Sequence, residues 1–131
     1  MARIRPAGAT DILRVVDMIE ALTVAVNGPV AVNRTHTAET VAGLISSHDS
    51  AVWVSNGGFI AGVIRCTVIS PEPIATELGW YASDGSGLLL LKTFEKWATD
   101  KGARLIQMST GAEGIDLSRL GYRLAERAWV K

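Results

Sequence analysis

Two short stretches of the sequence carry residue types that can do chemistry. The first is Glu77-Leu78-Gly79-Trp80-Tyr81, in a segment that reads as a strand. A carboxylate held on a strand can take a proton from an ammonium, directly or through water. Strict strand alternation predicts Ala75, Glu77, Gly79 and Tyr81 on one face. The second stretch is Asp84-Gly85-Ser86-Gly87, just ahead of a helical pattern. A Gly-rich turn entering a helix exposes unpaired backbone N–H groups and the positive end of the helix dipole. Glycine also lets an anion approach without a Cβ in the way. Such donors suit a pyrophosphate. Both stretches have a plainer reading. Glu77 could be a structural or substrate-orienting carboxylate, and Gly-Ser-Gly a tight strand-to-helix connection.

The remaining reactive side chains form no constellation. Ser109 and Ser118 have no partner that would make a nucleophilic triad. His36 and His48 fall in a loop and at a helix edge, exposed or capping, without metal-ligand spacing. Cys66 sits inside a predicted strand and reads as a buried, inert thiol. Trp53, Trp80, Trp97 and Trp129 fit core positions, and Trp129 also reads as an interface aromatic.

The elements that must position these residues follow from periodicity and turn chemistry. Ala2 to Arg5 is a short strand closed by Pro6. Thr10 is placed to cap a helix over residues 11–25, where Ile12, Val15, Val16, Ile19 and Leu22 repeat with helical spacing. Asn27-Gly28-Pro29 ends it, residues 30–36 form a loop, and Thr37 to Ser47 is a second, weaker helix. Ser50 to Ser55 and Phe59 to Ile69 make a hairpin around Asn56-Gly57-Gly58. Pro71 and Pro73 separate it from a strand over Ala75 to Ala82. The helix after the Gly-rich turn buries Leu90, Leu91, Phe94, Trp97 and Ala98, with Gly102 past its end. A strand (Arg104 to Ser109), a short helix (Ile115 to Leu120) and a last strand (Tyr122 to Val130) complete the order β-α-α-β-β-β-α-β-α-β. This is an α/β (α+β) pattern, a mixed sheet with helices on both faces. The strands flanking the long helix run parallel, the rest antiparallel.

At 131 residues the chain reads as one domain over 1–131. Thirteen Lys and Arg balance thirteen Asp and Glu, which argues against a bulk nucleic-acid binder and leaves self-association open, including a homodimer. The single cysteine excludes an internal disulfide framework and a Cys-rich zinc site, and no metal is expected. No apolar run approaches the roughly 18 residues of a membrane helix, and the N-terminus lacks the apolar stretch of a secretion signal. A cytoplasmic, membrane-free protein is the expectation.

The element order resembles the GNAT superfamily of acyl-CoA N-acyltransferases over nearly the whole chain. Four stretches carry the resemblance: Ile4-Arg5-Pro6-Ala7-Gly8-Ala9-Thr10-Asp11-Ile12 at the start, and the hairpin Val52-Trp53-Val54 with Ile60-Ala61-Gly62-Val63-Ile64. The third is the block from Glu77 through Gly85-Ser86-Gly87-Leu88 to Phe94-Glu95-Lys96-Trp97-Ala98. The fourth is Leu120-Gly121-Tyr122, similar to a Leu-Gly-Phe turn. The resemblance implies acetyl-CoA as co-substrate and an amine of a small molecule or protein as acceptor, attacking the thioester directly. It implies that Trp80, Tyr81, Ala82 and Ser83 flank the pantetheine arm, in a gap facing Gln107 to Ser109. It places Gly85, Ser86, Gly87 and Leu88 at the pyrophosphate. Glu77 would be the general base. The acceptor pocket would lie near residues 22–37, with Val24, Asn27, Val30, Asn33 and Arg34.

The sequence departs from the family at three positions. Asp84 stands where the loop usually opens with Gln or Arg, and Leu89 where it closes on Gly or Ala. Leu117 stands where a Tyr commonly protonates the leaving thiolate. Tyr81 or Tyr122 would then supply that proton, with Tyr122 also reading as core packing in place of the Phe. Asp84 has a second reading as a helix cap. The departures keep an alternative open: a GNAT-fold protein that no longer catalyses and serves in binding or assembly. The compact chain also resembles small acetyltransferase-like proteins of phages and prophages.

Overall fold

Alternation along the central strands divides the core into two layers. In the computed structural model, which describes residues 3–131, β2 (Ser50–Val54) and β3 (Gly58–Thr67) form the hairpin. Val52, Val54, Phe59 and Ala61 point to one side and Trp53 and Ile60 to the other. The first side is covered by α1 (Ile12–Ala25) and α2 (Arg34–Ser46), through Val15, Met18 and Val41. The second is covered by α3 (Gly87–Asp100), through Leu90, Leu91, Phe94 and Ala98. Both strand faces are apolar, so the sheet is buried on both sides.

Five strands lie in the order β1-β2-β3-β4-β5, with β1 spanning Arg5–Pro6, β4 Ser70–Ala82 and β5 Ile106–Gln107. The first four are antiparallel neighbours, and β5 pairs parallel to β4 after the α3 crossover. The architecture expected from the sequence, a mixed sheet between two helical layers, is the one found.

Several boundaries differ from the sequence reading. Ala2 lies outside the described residues. Thr10 caps nothing: it sits inside a 3-10 turn, Ala9–Asp11, and Asp11 accepts the Gly8 N–H at 2.8 Å instead. Arg5 grips the same carboxylate at 2.7 and 2.9 Å, and with the Gly8 bond holds Asp11 well below the usual carboxylate range. Helix α2 starts at Arg34 rather than Thr37, because the Asn33 side chain accepts the His36 N–H at 3.0 Å and nucleates the turn earlier. Strand β4 begins at Ser70, with Pro71 and Pro73 inside it. The β4–β5 ladder starts only at Ala75, and ahead of it the Pro73 carbonyl accepts the Arg104 N–H at 2.8 Å, a bond that asks for no proline N–H.

The C-terminal elements are weaker than expected. The helix over 115–120 is a 3-10 turn, Ser118–Leu120, ended by Gly121 at φ 89°. Residues 122–130 form no strand. Two residues of β5 offer no ladder for nine residues to join, and side-chain bonds tie the segment instead, Gln107 to Glu126 at 3.2 Å and Tyr122 to Glu95 at 2.7 Å. Trp129 is consequently 85% exposed, not core. Cys66 is exposed as well, because the far end of β3 runs out beyond the helical cover.

Candidate functional site

A bulge in β4 sets up the site. Ala61 pairs with Gly79 but Gly62 pairs with Glu77, so Leu78 is an extra residue in the ladder. The bulge breaks strict alternation. Ala75 packs in the layer under α3, whereas Tyr81 packs in the layer under α1 and α2. The expectation that Ala75 and Tyr81 share a face fails for this reason.

Next to the bulge the sheet opens. Strands β4 and β5 pair only at Ala75–Ile106 and Thr76–Gln107. Beyond that point no ladder bond joins them, and Glu77 Oε1 bridges the gap by accepting the Ser109 backbone N–H at 2.9 Å. Glu77 is 9% exposed. Burial pushes its carboxyl up to about 7, against the smaller opposing effect of the Ser109 bond. A carboxylate that titrates near neutrality is suited to exchanging protons with an amine.

The gap is a cleft of about 450 Å³. Trp80, Ala82 and Gly87 line it on the α3 side, and Leu22, Val26 and Tyr81 on the α1 side. Glu77 and Ser109 lie between them, with Thr110 and Gly111 continuing the far wall. The cleft therefore runs past the edge of β4 from one face of the sheet to the other. The Trp80 indole Nε1–H donates to the Gly87 carbonyl at 3.0 Å, which fixes the ring against the first turn of α3.

The Gly-rich turn is held by Asp84. Its carboxylate accepts the Ser55 hydroxyl at 2.8 Å, the Gly57 N–H at 2.9 Å, and both the N–H and the hydroxyl of Ser86, at 3.1 and 2.5 Å. These bonds hold Asp84 well below the usual carboxylate range. Asp84 thus ties the turn to the β2–β3 hairpin and faces away from the cleft. Gly85 adopts φ 80°, a conformation that favours glycine. The N–H groups of Gly87, Leu88 and Leu89 form the first turn of α3, which has no preceding helical carbonyls to bond.

Of the residues singled out in the sequence, Glu77, Trp80, Tyr81, Ala82 and Gly87 line the cleft. Ser83, Gly85, Ser86 and Leu88 do not. Ser86 is fully buried and both its donors are engaged with Asp84, so it has no group to offer a ligand. Ser83 donates its hydroxyl to Gly57 at 3.0 Å. Leu89 lies along a separate groove beside Trp53 and Trp97 and does not fill the cleft. Tyr122 donates its hydroxyl to Glu95 at 2.7 Å; burial and that carboxylate raise its phenol well above the usual value. Of residues 22–37, Leu22 and Val26 reach the cleft. Val24 and Val30 are exposed, Asn33 caps α2, and Arg34 pairs with Asp17 and Glu20. Ser109 lies at the cleft, on the side of the gap where the resemblance put Gln107 to Ser109, whereas Thr110, Gly111 and Ile115, on irregular chain after β5, were not singled out. Among the described residues no group of three or more His, Cys, Asp or Glu could hold a metal, and no helix is long and apolar enough to cross a membrane.

The overall fold is similar to that of solved acetyltransferase structures. The acetyl-CoA complex of a predicted acetyltransferase from Clostridium acetobutylicum superposes with a TM-score of 0.80 at 12% identity, covering 100% of this chain and 95% of that one. The aminoglycoside N-acetyltransferase AAC(6')-Iy, bound to a CoA-acetylneamine bisubstrate analogue, gives 0.75 at 17% identity, over 100% and 97% of the two chains. A transcriptional regulator from Bacillus halodurans gives 0.81 at 16%, over 100% and 99%. The chain has the GNAT fold. No protein-family model and no curated protein matches the sequence.

Proposed function

We propose that this GNAT-fold chain is an acetyl-CoA-dependent N-acetyltransferase. The observation that carries the reading is the cleft itself: Glu77, titrating near 7, stands in the gap between β4 and Ser109, with the first turn of α3 at one end. The unladdered edge of β4 offers backbone groups to an extended, amide-bearing arm such as pantetheine. The N–H groups of Gly87, Leu88 and Leu89 suit the pyrophosphate.

The step follows from this placement. Glu77 takes a proton from the ammonium, and the free amine attacks the thioester carbonyl. A C–N bond forms and the C–S bond breaks; a phenol gives its proton to the departing thiolate, and the second proton lost by the nitrogen restores that phenol. Tyr81 lines the cleft and is the phenol available to protonate sulfur, since Tyr122 is tied to Glu95. Positioning of the two substrates supplies much of the rate.

Thermal unfolding with and without millimolar acetyl-CoA tests the reading, with ATP as the anion control. A ligand at about 100 times its Kd adds about 2.7 kcal/mol, which moves the midpoint by several degrees. A shift with acetyl-CoA but not ATP, and thiol release with an amine, are expected. No shift overturns the reading. A shift without thiol release for any amine would favour a second one, a GNAT-fold binding module, which draws on the absence of a phenol at Leu117.

A further inference from the structure

We propose that the acceptor is a small primary amine with a single positive charge and an apolar body, and not a polycation; the inference rests on the acetyltransferase reading and names its substrate class. Among the described residues, Glu77 is the one carboxylate lining the cleft. The same cleft is lined by Leu22, Val26, Leu78, Tyr81, Gly111 and Ile115, and its other polar lining residues, Ser109 and Thr110, carry no charge. One buried carboxylate can neutralise one ammonium. Each further ammonium would leave water for an apolar wall with no counter-charge, which is costly.

The neighbouring acids do not change this account. Asp17 and Glu20, the acidic residues of α1, are both held by Arg34. Asp116 accepts the Ser118 N–H at 2.8 Å, and neither it nor Glu113 lines the cleft. The apolar rim is also exposed where a ligand would enter: Ile115 is 62%, Leu78 49% and Val26 42% accessible. The Val26 side chain stands against Gly111, where a Cβ would come within 3.0 Å of it, so α1 and the loop after β5 together shape the mouth. Exposed aliphatic side chains around a lone buried acid match an amine with a hydrocarbon body.

Calorimetric titration of the intact chain at pH 8 with hexylamine, phenethylamine, spermidine and neamine tests this without requiring turnover. The two monoamines should bind at least tenfold tighter than the two polycations. Ile115→Glu, a change at an exposed position, should narrow or reverse that ratio. Equal or tighter binding of spermidine or neamine overturns the inference, and so does the absence of monoamine binding up to millimolar concentration. Thiol release from acetyl-CoA is measured in parallel. Monoamine binding without release would overturn the acetyltransferase reading and leave the binding preference standing. Release with neamine preferred over hexylamine would do the reverse.

Discussion

The Glu77 carboxylate accepts the Ser109 backbone N–H at 2.9 Å across the point where β4 and β5 stop pairing. A side chain thus takes over from the ladder. The bond fixes the carboxylate at the cleft wall and satisfies an amide that the parting strands would leave open. It also holds a buried acid whose ionisation is disfavoured.

That conflict predicts a signed pH effect on stability. Glu77 ionises near its ordinary value of 4.5 when unfolded and near 7 when folded. Below pH 4.5 both states are protonated and nothing is lost. Between the two values the unfolded chain releases its proton first, so stability falls, by about 3 kcal/mol in all. Glu77→Gln, always neutral, should remove that loss. Its denaturation midpoint should exceed the wild type's at pH 8 and match it at pH 4. An equal difference at both pH values would contradict the assignment. The same variant should lose about 100-fold or more in kcat/KM if Glu77 is the base. The wild-type kcat/KM should rise with pH to a plateau above about 7.

Asp84 makes a different prediction, because its bonds lie on the hairpin side of the turn. Asp84→Ala removes the acceptor for Gly57, Ser55 and Ser86. Buried donors lose their partner, which costs on the order of 2 kcal/mol. Acid should unfold the wild type partly through this group. Its folded ionisation lies below the usual range, so its contribution is present above pH 4 and fades as pH falls further. Asp84→Asn, which keeps an acceptor, should restore part of the midpoint. Full stability in Asp84→Ala would show that the turn stands without its anchor.

How far the sequence revealed this site depends on what local patterning can encode. Glu77 and Gly87 were legible because a carboxylate on a strand and a Gly-rich helix entry are local signals, whereas Trp80 and Tyr81 were placed at the cleft by the family resemblance, the alternation argument for Tyr81 failing at the bulge. The bulge at Leu78 was not, since a one-residue shift in pairing belongs to two strands at once. The role of Asp84 was not visible: in sequence it reads as lying beside a phosphate or as a helix cap, but α3 has no side-chain cap, and the hairpin partners Ser55 and Gly57 lie nearly thirty residues away. Ser109 and Ile115 read as the end of a strand and the start of a helix, but β5 stops at Gln107 and the 3-10 turn begins at Ser118, so both lie on irregular chain. The last strand failed for the opposite reason. Tyr122 to Val130 has strand-like composition, but a strand needs a partner edge, and β5 supplies two residues.

Gly62 tests the packing beneath the bulge. A methyl group built there would overlap the Phe94 ring, which is fully buried between the sheet and α3. Phe94 also stacks on Trp97, with ring centroids 6.0 Å apart, so it has little room to turn away. Gly62→Ala should therefore destabilise by about 1–3 kcal/mol through overpacking. Calorimetric unfolding reads this directly. A second change, Phe94→Leu, should recover part of the loss by making space for the methyl group. An unaltered midpoint in the single variant would mean that α3 can slide on the sheet.

The two tyrosines separate proton donation from packing. Tyr81 lines the cleft, whereas the Tyr122 hydroxyl is spent on Glu95 at 2.7 Å. Tyr81→Phe keeps the ring and removes the only phenol at the cleft. If Tyr81 protonates the thiolate, kcat should fall at least tenfold with a small change in the acetyl-CoA KM, and the fall should be smaller for a thioester whose leaving thiol is more acidic. Tyr122→Phe should leave kcat unchanged. It should lower the unfolding free energy by an amount near one hydrogen bond to a charged group, about 1.5–3 kcal/mol. If Tyr81→Phe retains full kcat, the proton reaches sulfur from water and Tyr81 serves the wall of the cleft alone.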